Sequence, residues 1–157
     1  MSTIEFEMYM REAISLANSA KSKGNHPFGA LLIIGKEIIL RAENTVVTER
    51  NFTHHAEMNL MNKIASSDLS HEQISNSILV TSTEPCAMCC GAIFWGGVKN
   101  VIYGCPCEVL GELAGDDFLI PCRTVFGNSK SAPVNVCGPI LLDEAKIPHL
   151  GFWENMH

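Results

Sequence analysis

The sequence predicts an α/β fold, a sheet with parallel members covered by helices on both faces. Three observations lead there. An apolar hairpin opens the sheet, short β runs then alternate with helical segments, and 46% of the 157 residues are apolar, enough for one sizeable core. No internal repeat, low-complexity tract or linker interrupts the chain, so one domain over residues 1–157 is expected.

Ser2-Thr3-Ile4-Glu5 has the form of a capping box, and Phe6, Met10, Ala13, Ala17 and Ala20 recur at helical spacing until Lys23-Gly24. Two apolar runs, 30–34 and 38–40, flank Gly35-Lys36 and predict a tight hairpin. Leu60, Met61, Ile64 and Ala65 mark a helix over 55–65 with Thr53 as its N-cap. A short strand at 78–82 precedes a helix that has Pro85 in its first turn, carries Cys86 to Trp95 and stops at Gly96-Gly97. A strand at 98–103, a short helix at 108–113, a strand at 134–137 and a helix over 141–153 disturbed by Pro148 complete the expectation.

Eleven Lys plus Arg against seventeen Asp plus Glu give a net charge of −6 without a long run of one sign. A broad phosphate-tracking surface is therefore not expected, since nucleic-acid affinity rests on neutralising phosphates with Lys and Arg. A nucleic-acid partner is disfavoured, though a small basic patch is compatible with this balance. No stretch approaches a membrane span, and Glu5 and Glu7 stand where a secretory signal carries basic residues, so cytoplasmic residence is the expectation. Seven Cys in such a chain argue for metal ligation and plain burial rather than a disulfide framework.

Cys86 and Cys89, three apart at the start of a predicted helix, can turn both thiolates toward one ion. That pair alone is a weak signal. His55 opens another helix, and Glu57 two residues on shares a cleft with it only at a helix end, where both are predicted. Three ligands without an obvious fourth describe a catalytic zinc whose open position takes water, one ion per chain. Two thiolates balance the ion's charge, Glu57 is placed to take the proton of a polarised water, and both helix N-termini favour thiolate at the cysteines.

Together, Pro27-Phe28-Gly29-Ala30, Asn44 eleven residues before His55, His55-Ala56-Glu57, and Thr83-Glu84-Pro85-Cys86-Ala87-Met88-Cys89-Cys90-Gly91-Ala92-Ile93 resemble the cytidine and deoxycytidylate deaminase-like superfamily. The resemblance runs on through the strand to Tyr103-Gly104 and covers most of the chain. It implies a three-layer α/β/α fold around a five-stranded mixed sheet, a zinc-dependent hydrolytic deaminase, and a homodimer or larger oligomer whose neighbours can complete the active site. Pro27-Phe28-Gly29 and Ala92-Ile93-Phe94-Trp95 look more like the guanine deaminase branch than the tRNA adenosine deaminases. Gly115-Asp116-Asp117-Phe118 is similar to that branch's acidic segment but shifted in register, and His54 departs from the small residue usual before the ligand histidine.

The expected reaction is removal of an exocyclic amine from a nucleobase, with guanine the preferred substrate. Adenosine in tRNA is the alternative, followed by cytosine or another amino-heterocycle. Glu57 is the expected catalytic acid and base, the Ala56 amide an expected stabiliser of the tetrahedral centre, and Asn44, Phe28, Trp95, Glu84, Asp116 and Asp117 the substrate-binding candidates. Ordinary roles compete: Asn44 as a turn residue, Phe28 and Trp95 as core aromatics, Asp116 and Asp117 as a solvated loop. His26 and His54 read as neighbours of the site rather than ligands, and Cys90, Cys105, Cys107, Cys122 and Cys137 as buried thiols. A non-catalytic zinc-stabilised interaction domain would lack Glu57, which is present.

Overall fold

The Ser2 hydroxyl accepts the Glu5 amide while the Glu5 carboxylate accepts the Ser2 amide, and this capping box starts helix α1, Thr3–Ser22. The structure is a computed structural model and describes residues 2–155. Gly24, in left-handed conformation, lets the chain turn out of α1 toward strand β1, Gly29–Ile34. A tight turn with Gly35 at φ +66° leads into β2, Glu37–Glu43. Helix α2, Ala56–Ala65, and a short α3, His71–Asn76, precede β3, Ile78–Thr83. Then come α4, Ala87–Gly96, β4, Asn100–Cys105, α5, Cys107–Ala114, α6, Cys122–Gly127, and β5, Asn135–Cys137.

The five strands form one mixed sheet in the order β2-β1-β3-β4-β5. β1 is antiparallel to β2 and β3, whereas β3, β4 and β5 run parallel. Alternation along each strand divides the core between two faces. Ala30, Leu32, Leu79, Val101 and Tyr103 pack with Leu60, Ile64, Ile93 and Phe126 of α2, α4 and α6. Leu31, Ile33, Val80 and Ile102 meet Tyr9, Met10 and Ala13 of α1. Three layers result, as the resemblance implied. Gly29 allows the closest approach: a Cβ there would lie 2.3 Å from the Ala13 carbonyl oxygen, so only glycine lets α1 settle on the start of β1. Among the described residues no helix is long and apolar enough to cross a membrane.

Several local expectations need correction. The cap of α2 is His55, not Thr53, whose hydroxyl bonds to Asn51 within the preceding turn. Pro85 lies one residue before the Cys86 cap of α4 rather than inside its first turn. The helix expected over 141–153 is broken into α7, Leu142–Ala145, and two single 3₁₀ turns, Ile147–His149 and Trp153–Asn155. Pro148 removes an amide donor there, and Gly151 at φ +74° turns the chain between the two pieces. Cys137 is exposed, because β5 is the short edge strand. Helices α3 and α6 were not foreseen, although Ser70 and Gln73 form a full capping box for α3.

Candidate active site

The parallel strands β3 and β4 end side by side at Thr83 and Cys105, and ligands of α/β sheets collect at such carboxyl ends. A cavity of about 210 Å³ opens there. Its walls include Phe28, Asn44, His55, Glu57, Cys86 and Trp153.

His55 and Cys86 are the N-caps of α2 and α4, and neither side chain caps its own helix. Both turn toward each other instead. Nδ1 of His55 lies 3.6 Å from Sγ of Cys86 and 3.6 Å from Sγ of Cys89. Tetrahedral zinc with N and S ligands at ordinary bond lengths requires an N···S separation of about 3.6 Å, so the three donors fit that ion as they stand. Hydrogen bonds from Cys89 and His55 hold the Cys86 thiol down to about 4, while Cys89 is pushed up because its proton is directed at Cys86. The pair shares one proton, which a bound metal would displace.

Glu57, one residue into α2, is 4% exposed, and burial raises its pKa above the ordinary carboxylate value. Its Oε1 accepts from the Thr81 hydroxyl at 2.8 Å. That hydroxyl also lies 3.0 Å from the Thr83 carbonyl, and it has one hydrogen for the two acceptors. Ala56 is fully buried between His55 and Glu57, and its amide is the first N–H of α2.

Asn44 is 1% exposed, and its Oδ1 accepts the Val46 amide, which leaves Nδ2 as the group offered to the cavity. Asn25, not foreseen, braces the following loop through Oδ1, which accepts the Val47 and Thr48 amides. His26 lines the cavity as a neutral neighbour, its pKa lowered by burial and by His55. His54 pairs with Glu49 on the outer side of the loop.

Trp95 is not brought to the cavity and is 85% exposed. Nine residues along a helix from Cys86, it is turned about 180° and displaced about 13 Å from that end. The indole in the wall belongs to Trp153, 6.1 Å from the Phe28 ring and 5.2 Å from the His26 ring. Asp116 reaches the cavity mouth beside Phe118 and Leu119, its Oδ1 accepting the Phe118 amide, whereas Asp117 is exposed and outside the lining.

Glu84 borders the cavity, but its carboxylate has another task. Oε1 accepts the Cys107 amide at 3.0 Å and Oε2 the Cys122 amide at 2.7 Å, the first N–H groups of α5 and α6. One buried carboxylate thus clamps two helix N-termini, a favourable use of negative charge. Its closeness to Cys107 and Glu108 also groups three ionisable side chains, yet both Glu84 oxygens are already engaged. Glu84→Gln leaves one amide facing an NH₂ group and is expected to cost about 1–3 kcal/mol, read from the denaturant midpoint. An unchanged midpoint would remove the clamp.

Comparison with known proteins gives the class. The chain belongs to the cytidine and deoxycytidylate deaminase family, whose zinc-binding-region model matches residues 4–105, and it is a hydrolytic deaminase of a nucleobase or nucleoside. A probable cytosine deaminase of Schizosaccharomyces pombe is 36% identical over 93% of this chain and 91% of that protein. From Bacillus subtilis, a tRNA-specific adenosine deaminase is 41% identical over 62% of this chain and 60% of its own, and a guanine deaminase 36% identical over 73% of each. The solved guanine deaminase of Nitrosomonas europaea shares the fold, with a TM-score of 0.79 at 24% identity over 91% of this chain and 81% of its own.

Proposed function

We propose that this chain deaminates a free nucleobase, guanine first, with Glu57 as the proton-transferring residue and His55, Cys86 and Cys89 as the ligands of one zinc ion. The observation that carries the proposal is the cavity. Phe28 and Trp153 present aromatic surface suited to a planar base, the Asn44 amide offers a polar contact to a ring edge, and Glu57 lines the cavity together with His55 and Cys86, two of the three metal donors. Asp116 at the mouth favours guanine, whose ring N–H groups a carboxylate can accept.

Zinc, when bound, supplies Lewis-acid polarisation that brings a water's proton within reach of a carboxylate. Glu57 takes that proton to the ring nitrogen and then carries the second proton of the added hydroxyl to the departing amine as the C–N bond breaks and the carbonyl forms, a double task suited to a carboxyl group whose affinity for protons is raised by burial. Thr81 serves both states: its hydroxyl donates to the Glu57 carboxylate, or accepts from the protonated acid and turns its own hydrogen to the Thr83 carbonyl. The Ala56 amide donates toward the oxygen that gains charge at the tetrahedral centre. Assembly as a homodimer is part of the proposal and is carried over from the family resemblance.

Cytosine is a second reading, favoured by the nearly full-length match to the probable cytosine deaminase. Adenosine in tRNA fits less well, because a chain of net charge −6 offers RNA phosphates little attraction. Ammonia release from guanine, cytosine and a tRNA anticodon stem-loop at matched low salt tests the order. Guanine is expected to give the highest kcat/KM. A far higher value for the stem-loop would overturn the free-base reading, and a higher value for cytosine would replace guanine within it.

A further inference from the structure

Trp153 is the cavity wall that comes from farthest along the chain, carried on a single 3₁₀ turn close to the C-terminus. So short an element cannot fix an indole by itself. The ring packs against His26, Phe28 and Phe152, and its N–H bonds to His149, four residues earlier and 1% exposed. Nε1 of Trp153 lies 3.1 Å from Nδ1 of His149, and Nε2 of His149 lies 2.8 Å from the Thr83 hydroxyl. An indole N–H only donates, so Nδ1 must be the acceptor, and a neutral ring then carries its hydrogen on Nε2 and donates it to Thr83. Burial keeps the imidazole neutral, its pKa lowered to about 4. The two rings lie near parallel, 18° apart, with the Phe28 ring 5.1 Å from His149. On the other side, Lys21 of α1 donates to the Pro148 carbonyl and fixes the turn that bears His149. Thr83 is the last residue of β3, three before Cys86. One chain of hydrogen bonds therefore runs from the strand that delivers the metal-ligating segment, through a buried histidine in a fixed tautomer, to the aromatic wall.

We propose that His149 is a positioning residue that sets the orientation of the Trp153 indole, and through it the affinity of the cavity for a planar base. The inference rests on reading the cavity as a base-binding pocket. Its distinctive demand is an acceptor at the δ position of residue 149. Asparagine places a carboxamide oxygen there, glutamine places its polar group at the ε position toward Thr83, and leucine has neither.

The test uses the Trp95→Phe protein, in which Trp153 is the remaining tryptophan of the two in the chain. His149→Asn, His149→Gln and His149→Leu are compared in that background, with circular dichroism to establish that each folds. Acrylamide quenching of Trp153 emission is measured without substrate for every variant and also with each base for the parent, and KM and kcat are measured for guanine and cytosine. Expected is quenching close to the parent in the Asn variant and clearly greater in the Gln and Leu variants. For those two, KM for the reacting base should rise about tenfold, the size of one lost hydrogen bond, while kcat stays within a few-fold. The proposal is overturned if Gln and Leu quench like the parent, if all three variants are impaired alike, or if kcat falls while KM holds. Failure of the base-pocket reading looks different: neither base would protect Trp153 from acrylamide in the parent, whatever the order of the variants.

Discussion

Glu57→Gln is expected to lower turnover by about 10²–10⁴-fold while the zinc content of the purified protein stays that of the parent. Glutamine keeps the length and shape of the side chain and an oxygen for the Thr81 hydroxyl, so the 2.8 Å contact and the packing of a residue 4% exposed can persist. It cannot take a proton. Burial raises the proton affinity of Glu57, and that brings a carboxyl group closer to the working pH, where one group can act both as base and as acid. Ammonia release beside metal analysis checks the expectation. Activity within a few-fold of the parent would remove Glu57 from the proton path, and Thr81→Val would then have no reason to affect the rate. If Glu57 holds that role, Thr81→Ser should retain activity better than Thr81→Val, because only the former keeps a hydroxyl.

The metal cluster could be read in the sequence because its parts lie at helix starts, where side-chain direction follows from local geometry. His55 and Cys86 precede apolar helical stripes, and a cap residue projects past the end of its helix toward whatever the end faces. The opening hairpin and the short continuous apolar runs of β1, β3 and β4 were legible for a similar reason, since each signal is complete within a few residues. Of the aromatic wall, Phe28 was legible and the indole of Trp153 was not. Trp95 was proposed through the resemblance of Ala92-Ile93-Phe94-Trp95 to the guanine deaminase branch, but the helix turns it to the outside. Trp153 reaches the cavity because the chain, after β5, returns across the sheet and is pinned by Thr83, Lys21 and Phe28, all distant in sequence. No local period encodes such a return. Glu84 does line the cavity, but only the tertiary structure shows its two oxygens engaged by the amides of Cys107 and Cys122, which are distant in sequence.

Replacing both Cys86 and Cys89 with serine is expected to abolish zinc binding and reduce deamination to background. The argument begins with the donors. Serine hydroxyls remain neutral at physiological pH and bind zinc poorly, whereas the thiol pair here is already partly ionised, with Cys86 held near 4. Without the ion, a water near His55 keeps the high pKa of bulk solvent, and Glu57 has no acid of suitable strength to deprotonate. The same ion should also stabilise the fold, because it joins the caps of α2 and α4, whose donors stand 3.6 Å apart across the cleft. A metal that binds only the folded chain contributes about 4 kcal/mol when its free concentration is 1,000 times its dissociation constant. A strong chelator should therefore lower the unfolding midpoint of the parent and leave that of the double variant where it was. Metal analysis of the two proteins, with melting curves before and after chelation, measures both consequences. Zinc retained by the double variant would place the metal elsewhere, and a parent midpoint indifferent to the chelator would show that α2 and α4 are held by their apolar contacts alone.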